Sequence, residues 1–350
     1  MIIENCTRNI SIRTGELIQD KENIWAFHKD INALFKCNLD GENGEYVCSL
    51  EEEKMIKEML IGKMLIRNSL LFLLPMWGDY IHVYDIKTKR QHILHLREEH
   101  LYRSKMLFCE AFLYKDDIYC VPVNYRYLIK ITNDNKIEYL FDLEDVLEKV
   151  GIDKVNFNRA AFDGRNIVAV QAGDNRYVEF NLESLEIKVK DVDREKMLLN
   201  SVEIIDGSIY LCGKNEEDKW EVFREEDSKI VFQSDDWITI RKMGENLLID
   251  SITCDWFFII DCKDGTQKKI EEPLLVKTGF YRNGVVSCDG IYYYSNRQGI
   301  LKKYSDGYYI DIGELKAEFN ANCMIKNKEV LREIECFQLA DFIEIIKRKE

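Results

Sequence analysis

A pattern of alternating apolar and polar residues recurs along the chain at intervals of about 45 residues. Each copy contains an apolar pair that continues into an alternating segment, and a polar gap separates this segment from a second one. Alternation with a period of two predicts β-strands that bury one face. The apolar pairs of the seven copies are Ile24-Trp25, Leu71-Phe72, Ile118-Tyr119, Ile167-Val168, Ile209-Tyr210, Leu247-Leu248 and Ile291-Tyr292.

The turns inside each copy are those of antiparallel hairpins. Asp-Gly pairs supply the positive φ angles that tight hairpin turns require. The third copy shows the whole pattern, with predicted strands over 108–114, 118–123, 127–132 and 137–141. Each copy is therefore expected to form four short antiparallel strands. The six Asp-Gly pairs are Asp40-Gly41, Asp163-Gly164, Asp206-Gly207, Asp264-Gly265, Asp289-Gly290 and Asp306-Gly307.

Four strands per repeat are typical of the blade of a β-propeller, and the chain resembles this superfamily over nearly its whole length. The signatures of the tryptophan-aspartate and kelch repeats are absent, so the resemblance is to divergent bacterial propellers without a diagnostic motif. It implies an all-β fold of seven four-stranded blades, with six or eight as alternatives. We expect one domain over 1–350, with repeats at 12–50, 60–96, 107–141, 157–190, 198–232, 238–270 and 277–313.

Three segments have apolar residues at helical spacing. Glu51 to Arg67 and Leu143 to Val150 are predicted as helical inserts between neighbouring repeats, and Val330 to Ile346 as a C-terminal helix within a closing segment at 328–350. In an alternative prediction, Cys323 to Ile334 forms a hairpin. That hairpin would belong to an eighth, incomplete blade closed by the N-terminal strand.

Composition and charge narrow the class of protein. Hydrophobic residues make up 46% and charged residues 32%, as in a soluble globular protein. A net charge of −14 disfavours nucleic acid and anionic membranes as partners. The longest apolar run is far shorter than the roughly 20 residues of a membrane-spanning helix. The eleven cysteines lack metal-site spacing, so we expect free thiols and a cytoplasmic location.

The sequence offers little evidence for catalysis, because the common catalytic and phosphate-binding motifs are absent. Four histidines cluster at His82, His92, His95 and His100. The strand that contains His92 and His95 is predicted to be the outer edge of its blade, so we expect solvated histidines rather than a metal site. No cofactor is predicted. The alternative is a divalent cation such as calcium, held by oxygens of Glu110, Asn158 and Asn283.

A column of polar residues appears when the repeats are superposed on their apolar pairs. Eight residues before each pair the residue is polar, and the next one is never polar. This column should lie at the start of each innermost strand, around a central ligand site. Glu110, Arg159 and Asn283 are its candidate ligand-binding residues, and Glu110 is expected to hold Arg159 in place. The seven positions are Glu16, Lys63, Glu110, Arg159, Ser201, Thr239 and Asn283.

The turns between the second and third strands provide further candidates. They are rich in aromatic and arginine residues, which are enriched in binding hot spots. In the propeller topology these turns should open on the same side as the polar column. The candidate ligand-binding residues are Trp77, Asp79, Tyr125, Arg126, Asn175, Arg176, Asp255, Trp256, Asn296 and Arg297.

These patterns predict a non-catalytic binding platform for a protein, a peptide or a saccharide. The alternative is a propeller enzyme of the lactonase, lyase or glycan-processing type, with its active site at the mouth of the channel.

Overall fold

The computed structural model describes residues 7–12, 14–28, 32–39, 44–50, 52–53, 60–97, 106–194, 196–251, 256–271, 283–286, 292–295, 300–305, 308–314 and 316–320. Nearly all of them lie in or between β-strands. The first strands are β1 (Thr7–Ser11), β2 (Thr14–Gln19), β3 (Asn23–His28), β4 (Ala33–Asn38), β5 (Gly44–Ser49), β6 (Ile61–Arg67), β7 (Leu70–Pro75), β8 (Tyr80–Asp85) and β9 (Arg90–His95).

The middle of the chain contains sixteen strands and the one helix found in the described ranges, α1 (Leu143–Glu148). The strands before this helix are β10 (Phe108–Tyr114), β11 (Asp117–Pro122), β12 (Tyr127–Ile131) and β13 (Ile137–Asp142). The strands after it are β14 (Phe157–Phe162), β15 (Asn166–Gln171), β16 (Arg176–Asn181), β17 (Glu186–Asp191), β18 (Leu198–Ile205), β19 (Ser208–Lys214), β20 (Trp220–Arg224), β21 (Lys229–Ser234), β22 (Thr239–Met243), β23 (Asn246–Asp250), β24 (Trp256–Asp261) and β25 (Gln267–Glu271).

The last strands are β26 (Asn283–Val286), β27 (Tyr292–Ser295), β28 (Ile300–Ser305), β29 (Tyr308–Glu314) and β30 (Lys316–Asn320).

The chain divides into two compact units, of which the first comprises residues 1–93, 282–285 and 292–350. It contains a six-stranded sheet in the order β1-β30-β5-β4-β3-β2 and two four-stranded sheets, β6–β9 and β26–β29. The last residues of β9 and β26 belong to the second unit. The second unit comprises residues 94–281 and 286–291. It contains four sheets of four consecutive strands: β10–β13, β14–β17, β18–β21 and β22–β25.

The described residues thus form seven sheets, which is the number of repeats in the sequence. The sheet β10–β13 follows the strands predicted for the third repeat to within one residue at each end. The conformation of the turns also agrees with the predicted hairpins, where the structure describes those turns. Asp206 and Gly207 have φ angles of 49° and 80°, and they join Ile205 to its cross-strand partner Ser208. This is the two-residue hairpin that an Asp-Gly pair favours.

The alternative prediction places the N-terminal strand in an eighth, incomplete blade, whereas in the structure this strand belongs to the six-stranded sheet. The N-terminal strand β1 pairs antiparallel with β30, and β30 pairs parallel with β5. Both strands therefore extend the first sheet in the described residues. The predicted hairpin over Cys323–Ile334 and the predicted C-terminal helix over Val330–Ile346 lie outside the described residues.

Of the two predicted helical inserts, one is confirmed, and the other is wrong over the part that the structure describes. Helix α1 occupies most of the segment predicted at Leu143–Val150. By contrast, Ile61–Arg67, the end of the predicted Glu51–Arg67 helix, is strand β6. A bulge lies in this strand between Ile61 and Lys63, and the buried residues there are spaced by three. The bulge explains why the strand imitates a helical pattern.

The apolar cores lie between neighbouring sheets. In the second unit, one core packs Val121 of β11 against Phe157 of β14 and Phe180 of β16. Equivalent cores join sheet β14–β17 to β18–β21 and sheet β18–β21 to β22–β25. The sheets β14–β17 and β18–β21 therefore bury both faces, as expected of stacked repeats that contact only their neighbours.

The described cysteines are free thiols at Cys37, Cys48, Cys109, Cys120, Cys212 and Cys262. Burial raises the pKa of Cys37 to about 12. It also raises that of Cys212 to about 12. These thiols are therefore neutral and pack as small apolar groups. No helix in the described ranges is long and apolar enough to cross a membrane.

Candidate functional site

The first strands of the four sheets in the second unit, β10, β14, β18 and β22, contact one another in sequence order. Strand β22 carries Arg241 and Lys242, and the other three strands carry one charged residue each. Glu110, Arg159, Glu203 and Arg241 follow one another in strand order, and their charges alternate along the row. We call these four residues the charged cluster. Charged side chains on inner strands are costly to bury without partners, so their arrangement needs a physical explanation.

The Glu110–Arg159 pair joins the first two strands of the row. Arg159 Nη1 donates to Glu110 Oε1 at 2.9 Å. The Glu110 side chain is 10% exposed, whereas the Arg159 side chain is 33% exposed. The contact between these neighbouring residues was predicted from the sequence and is present. The acid fixes the guanidinium in place, while one third of the arginine side chain faces solvent.

A repeated bulge determines where these side chains stand. In β10 the register shifts between Phe108 and Glu110, and in β14 between Phe157 and Arg159. A bulge re-aims the side chain that follows it and is common beside functional sites. In five first strands the bulge immediately precedes the member of the polar column: Glu16, Lys63, Glu110, Arg159 and Ser201.

The extra residues of two bulges connect neighbouring strands of the second unit. Asn158 Nδ2 donates to the carbonyl oxygen of Asn200 at 2.8 Å. Asn200 Nδ2 in turn donates to the carbonyl oxygen of Ile238 at 3.3 Å. These hydrogen bonds hold β14 and β18 to the residue before β22, so they stabilise the spacing of the row.

Glu203 is the half-buried acid in the middle of the row. Burial raises its pKa to about 7, and the negative charge of Glu110 acts in the same direction. The backbone N–H of Lys242 and the cations of Arg241 and Arg159 oppose this rise. Its carboxyl therefore exchanges a proton near neutral pH, as an acid–base group or a proton-linked binding group must.

The polar column identifies one half of this row and misses the other. Ser201 is fully buried, and its hydroxyl oxygen accepts from the N–H of Ile240 at 3.2 Å. Thr239 is also buried. The charged residues Glu203 and Arg241 follow them by two positions on the same strands. Residues two apart on a strand point to one face, so a search of alternate positions in the sequence could have found them.

The remaining members of the column lie in the first unit. Glu16 Oε1 and Lys63 Nζ are 3.9 Å apart, so this neighbouring pair also joins opposite charges. Asn283 begins strand β26.

The aromatic candidates of the turns pack against the protein. Tyr125 is fully buried, with its ring 5.6 Å from that of Phe108. It cannot contact a ligand, so its assignment to a binding surface is corrected. Trp77 is half-buried on the core of the first unit. Trp256 is half-buried beside Phe258, at 5.1 Å between ring centres.

The polar candidates of the turns mostly have local partners. Arg126 Nε donates to both carboxylate oxygens of Asp142, each at 2.8 Å, beside the start of α1. Arg176 pairs with Asp174 at 2.6 Å. These contacts stabilise turns, so the structure gives both arginines a structural role. Asp79 donates its N–H to Glu53, and Asn175 accepts from Val192 through its carbonyl. The candidates Asp255, Asn296 and Arg297 lie outside the described residues.

The four histidines that cluster in the sequence also differ in their environments. His92 and His95 are exposed, as expected, but His82 is fully buried. His82 Nε2 lies 3.2 Å from Oε1 of the buried Glu53. The expectation of solvated histidines was wrong for His82, because strand β8 is the third strand of its sheet and lies inside it. His100 lies outside the described residues.

Replacing Glu203 by glutamine should flatten the pH dependence of stability. Because its pKa is raised on folding from 4.5 to about 7, the folded protein binds the proton more tightly, and wild type loses stability as pH rises between these values. We expect the loss between pH 5 and pH 8, measured by urea unfolding, to be smaller by about 1–2 kcal/mol in Glu203→Gln. The exposed Glu186→Gln should match wild type. Equal slopes in all three proteins would contradict the assignment.

Comparison with known proteins identifies the fold. No protein-family model matches the chain, and no curated protein matches its sequence. A streptogramin B lyase superposes with a TM-score of 0.63 and 10% identity, over 85% of this chain and 97% of that chain. YCF48 bound to a D1 peptide gives a TM-score of 0.60 and 9% identity, over 86% and 95%.

The β-propeller domain of Swd1 from Myceliophteria thermophila gives a TM-score of 0.58 and 9% identity, over 85% of this chain and 99% of that domain. The matching structures are β-propeller proteins, and six of the seven sheets formed by the described residues are four-stranded and antiparallel. Identities at this level establish the fold alone. The chain is therefore a β-propeller of the all-β class.

Proposed function

We propose that the protein is a non-catalytic binding platform that holds a protein or peptide partner at the charged cluster. The observation that supports this proposal is the arrangement of Arg159, whose guanidinium is fixed by Glu110 while a third of its side chain stays exposed. A guanidinium fixed in this way loses little conformational entropy when it binds an anionic group.

Charged groups favour a peptide over a saccharide. Carboxylates and guanidiniums recognise the charged side chains and termini of peptides, whereas saccharide sites usually rely on exposed aromatic faces. Tyr125, one of the predicted aromatic residues, is fully buried. The peptide complex of YCF48 shows that a protein of this fold can bind a peptide. The net charge of −14 continues to argue against nucleic acid.

Replacing Arg159 by alanine should weaken partner binding by about 1–3 kcal/mol, because the partner's charged group and Glu110 both lose their counter-ion. We suggest screening peptide and glycan arrays with wild type, and then measuring the affinity of each hit by calorimetry. His92→Ala, an exposed substitution in the first unit, should change affinity by less than about 0.5 kcal/mol.

The outcomes of this screen separate the hypotheses. Peptide hits that weaken in Arg159→Ala and persist in His92→Ala support the proposal. Hits confined to glycans would instead favour a saccharide ligand. Binding that His92→Ala weakens and Arg159→Ala leaves intact would overturn the location of the site.

An enzyme is the second candidate function, because Glu203 has a pKa of about 7 and lies beside two arginines. Such an acid could move a proton during lactone opening or elimination. The predicted ligands of the cation alternative are oxygens of Glu110, Asn158 and Asn283, and Glu110 Oε1 already accepts from Arg159. Turnover of a panel of lactones and cyclic depsipeptides with calcium, lost in Glu203→Gln, would favour the enzyme over the platform.

A further inference from the structure

We infer that the charged cluster is a proton-coupled site for a carboxylate group, in which Arg159 and Arg241 hold the carboxylate and Glu203 takes up one proton as it binds. This inference rests on the proposed binding function and specifies the chemistry of the ligand. An acidic side chain or the C-terminus of a peptide would both present this group.

The charge balance of the row gives the first argument. With Glu203 ionised, the two acids and two arginines of the charged cluster sum to zero, and an anion gains little from entering. With Glu203 protonated, the same four residues carry a net charge of +1. Arg159 and Arg241 then lack one of their competing acids, and the neutral carboxyl adds a hydrogen-bond donor. The protonated state is therefore the one that attracts a carboxylate.

The groups packed around Glu203 give the second argument. Strands β10 and β14 bring Glu110 and Arg159, and β22 brings Arg241 together with the N–H of Lys242. The cross-strand partner on β19 is Tyr210, a buried phenol whose pKa is raised to about 12 by burial.

Two further strands contact β18. Strand β15 has no titratable side chain, and β23 contributes the buried Asp250, whose cross-strand partner is Thr239. The pKa of Glu203 is raised to about 7, chiefly by burial, so this acid changes its charge near neutral pH.

Linkage gives the third argument. A bound carboxylate adds another negative charge beside Glu203, and like charge at close range favours the neutral form of an acid. Binding and protonation must then strengthen each other by the same factor. Near pH 7, where about half of the Glu203 carboxyls are ionised, ligand binding should draw about half a proton per site from the buffer.

Glutarate is a suitable probe, and glutaramide is its uncharged counterpart. We expect the affinity for glutarate, measured by calorimetry, to fall about fivefold or more between pH 6 and pH 8. Titrations at pH 7 in two buffers of different ionisation enthalpy should show proton uptake. Glutaramide should not bind, and inorganic phosphate tests whether the site accepts any anion.

Matched variants isolate the role of each group. In Glu203→Gln, a neutral copy of the protonated acid, the ratio of the affinities at pH 6 and pH 8 should fall to about one, with no proton uptake. Arg159→Ala should lose glutarate binding at both pH values. The exposed Glu186→Gln should keep the wild-type affinities and proton uptake. Thermal melting of each variant would verify that it is folded.

The outcomes distinguish this inference from the proposed function. Glutarate binding without a pH effect or proton uptake would overturn the coupling. Phosphate binding as tight as glutarate would overturn the carboxylate preference. No glutarate binding, alongside peptide hits that depend on Arg159, would overturn this inference and leave the binding platform standing. An absence of any ligand that depends on Arg159 would overturn the platform itself.

Discussion

Replacing Phe157 by alanine should lower the free energy of unfolding by about 3–5 kcal/mol. Phe157 is the first residue of β14 and is fully buried. Its ring lies 6.1 Å from that of Phe180 at an angle of 88°, an edge-to-face contact. The core around it also includes Leu143 and Leu147 of α1, so truncation would leave a cavity between two sheets and the helix. Urea unfolding followed by tryptophan fluorescence would measure the loss.

A matched apolar substitution on the surface provides the control. Leu113 in β10 is 44% exposed, so Leu113→Ala should cost less than about 0.5 kcal/mol. Because Phe157 lies only two residues from Arg159, the same variant also tests whether the core supports the site. Similar losses in Phe157→Ala and Leu113→Ala would show that this core does not stabilise the unit.

The strands could be predicted because they depend on local patterning. The sheets of the second unit consist of short strands that pack against neighbouring sheets, and their turns need residues that accept positive φ. The pair Asp206-Gly207 satisfies this need through its own conformation. Such information is present in a few neighbouring residues, so the repeat and its hairpins are readable without any tertiary contact.

The charged cluster could be predicted only in part, because it depends on register. Superposing the repeats on their apolar pairs aligned Arg159 with Ser201, which is correct for the bulge that precedes both. The charged residue of β18 lies two residues later, at Glu203. Superposing the repeats compares the residues at one position of each repeat. It therefore misses a charged side chain that lies two residues later on the same face of the strand.

The role of the turn residues is difficult to predict for a different reason. Arginine and tyrosine are compatible with a binding surface and with a packed turn, and the choice depends on partners far along the chain. Arg126 meets Asp142, sixteen residues later, at 2.8 Å. Tyr125 makes an edge-to-face contact with Phe108, which lies seventeen residues earlier. Composition at a turn therefore cannot distinguish recognition from structural support.

Replacing Glu53 by alanine should destabilise the first unit by about 3–5 kcal/mol, the scale for removing one partner from a buried polar network. The Glu53 side chain is 2% exposed. Its Oε1 accepts from the N–H groups of Asp79 at 3.0 Å and Tyr80 at 3.1 Å, and lies 3.2 Å from His82 Nε2. Truncation would bury these donors without an acceptor, and each such donor is costly.

The side chains around Glu53 fit closely, so variants of Glu53 report on the whole hydrogen-bond network. Gln91 Nε2 lies 2.8 Å from His82 Nδ1, so the ring accepts from Gln91 there and donates to Glu53 through Nε2. A Cβ on Gly78 would approach Glu53 Oε1 to 2.7 Å, so a larger residue at this position would displace the carboxylate.

Glu53→Gln retains the shape and one carbonyl oxygen, so it should lose about 1–2 kcal/mol, less than Glu53→Ala. The exposed Glu22→Ala should lose less than about 0.5 kcal/mol. Urea unfolding at pH 7 would rank the three variants. If Glu53→Ala unfolds at the same urea concentration as Glu22→Ala, the acid does not hold β8 and its preceding turn. If Glu53→Gln costs as much as Glu53→Ala, the carboxylate charge, rather than the number of acceptors, determines the stability of this turn.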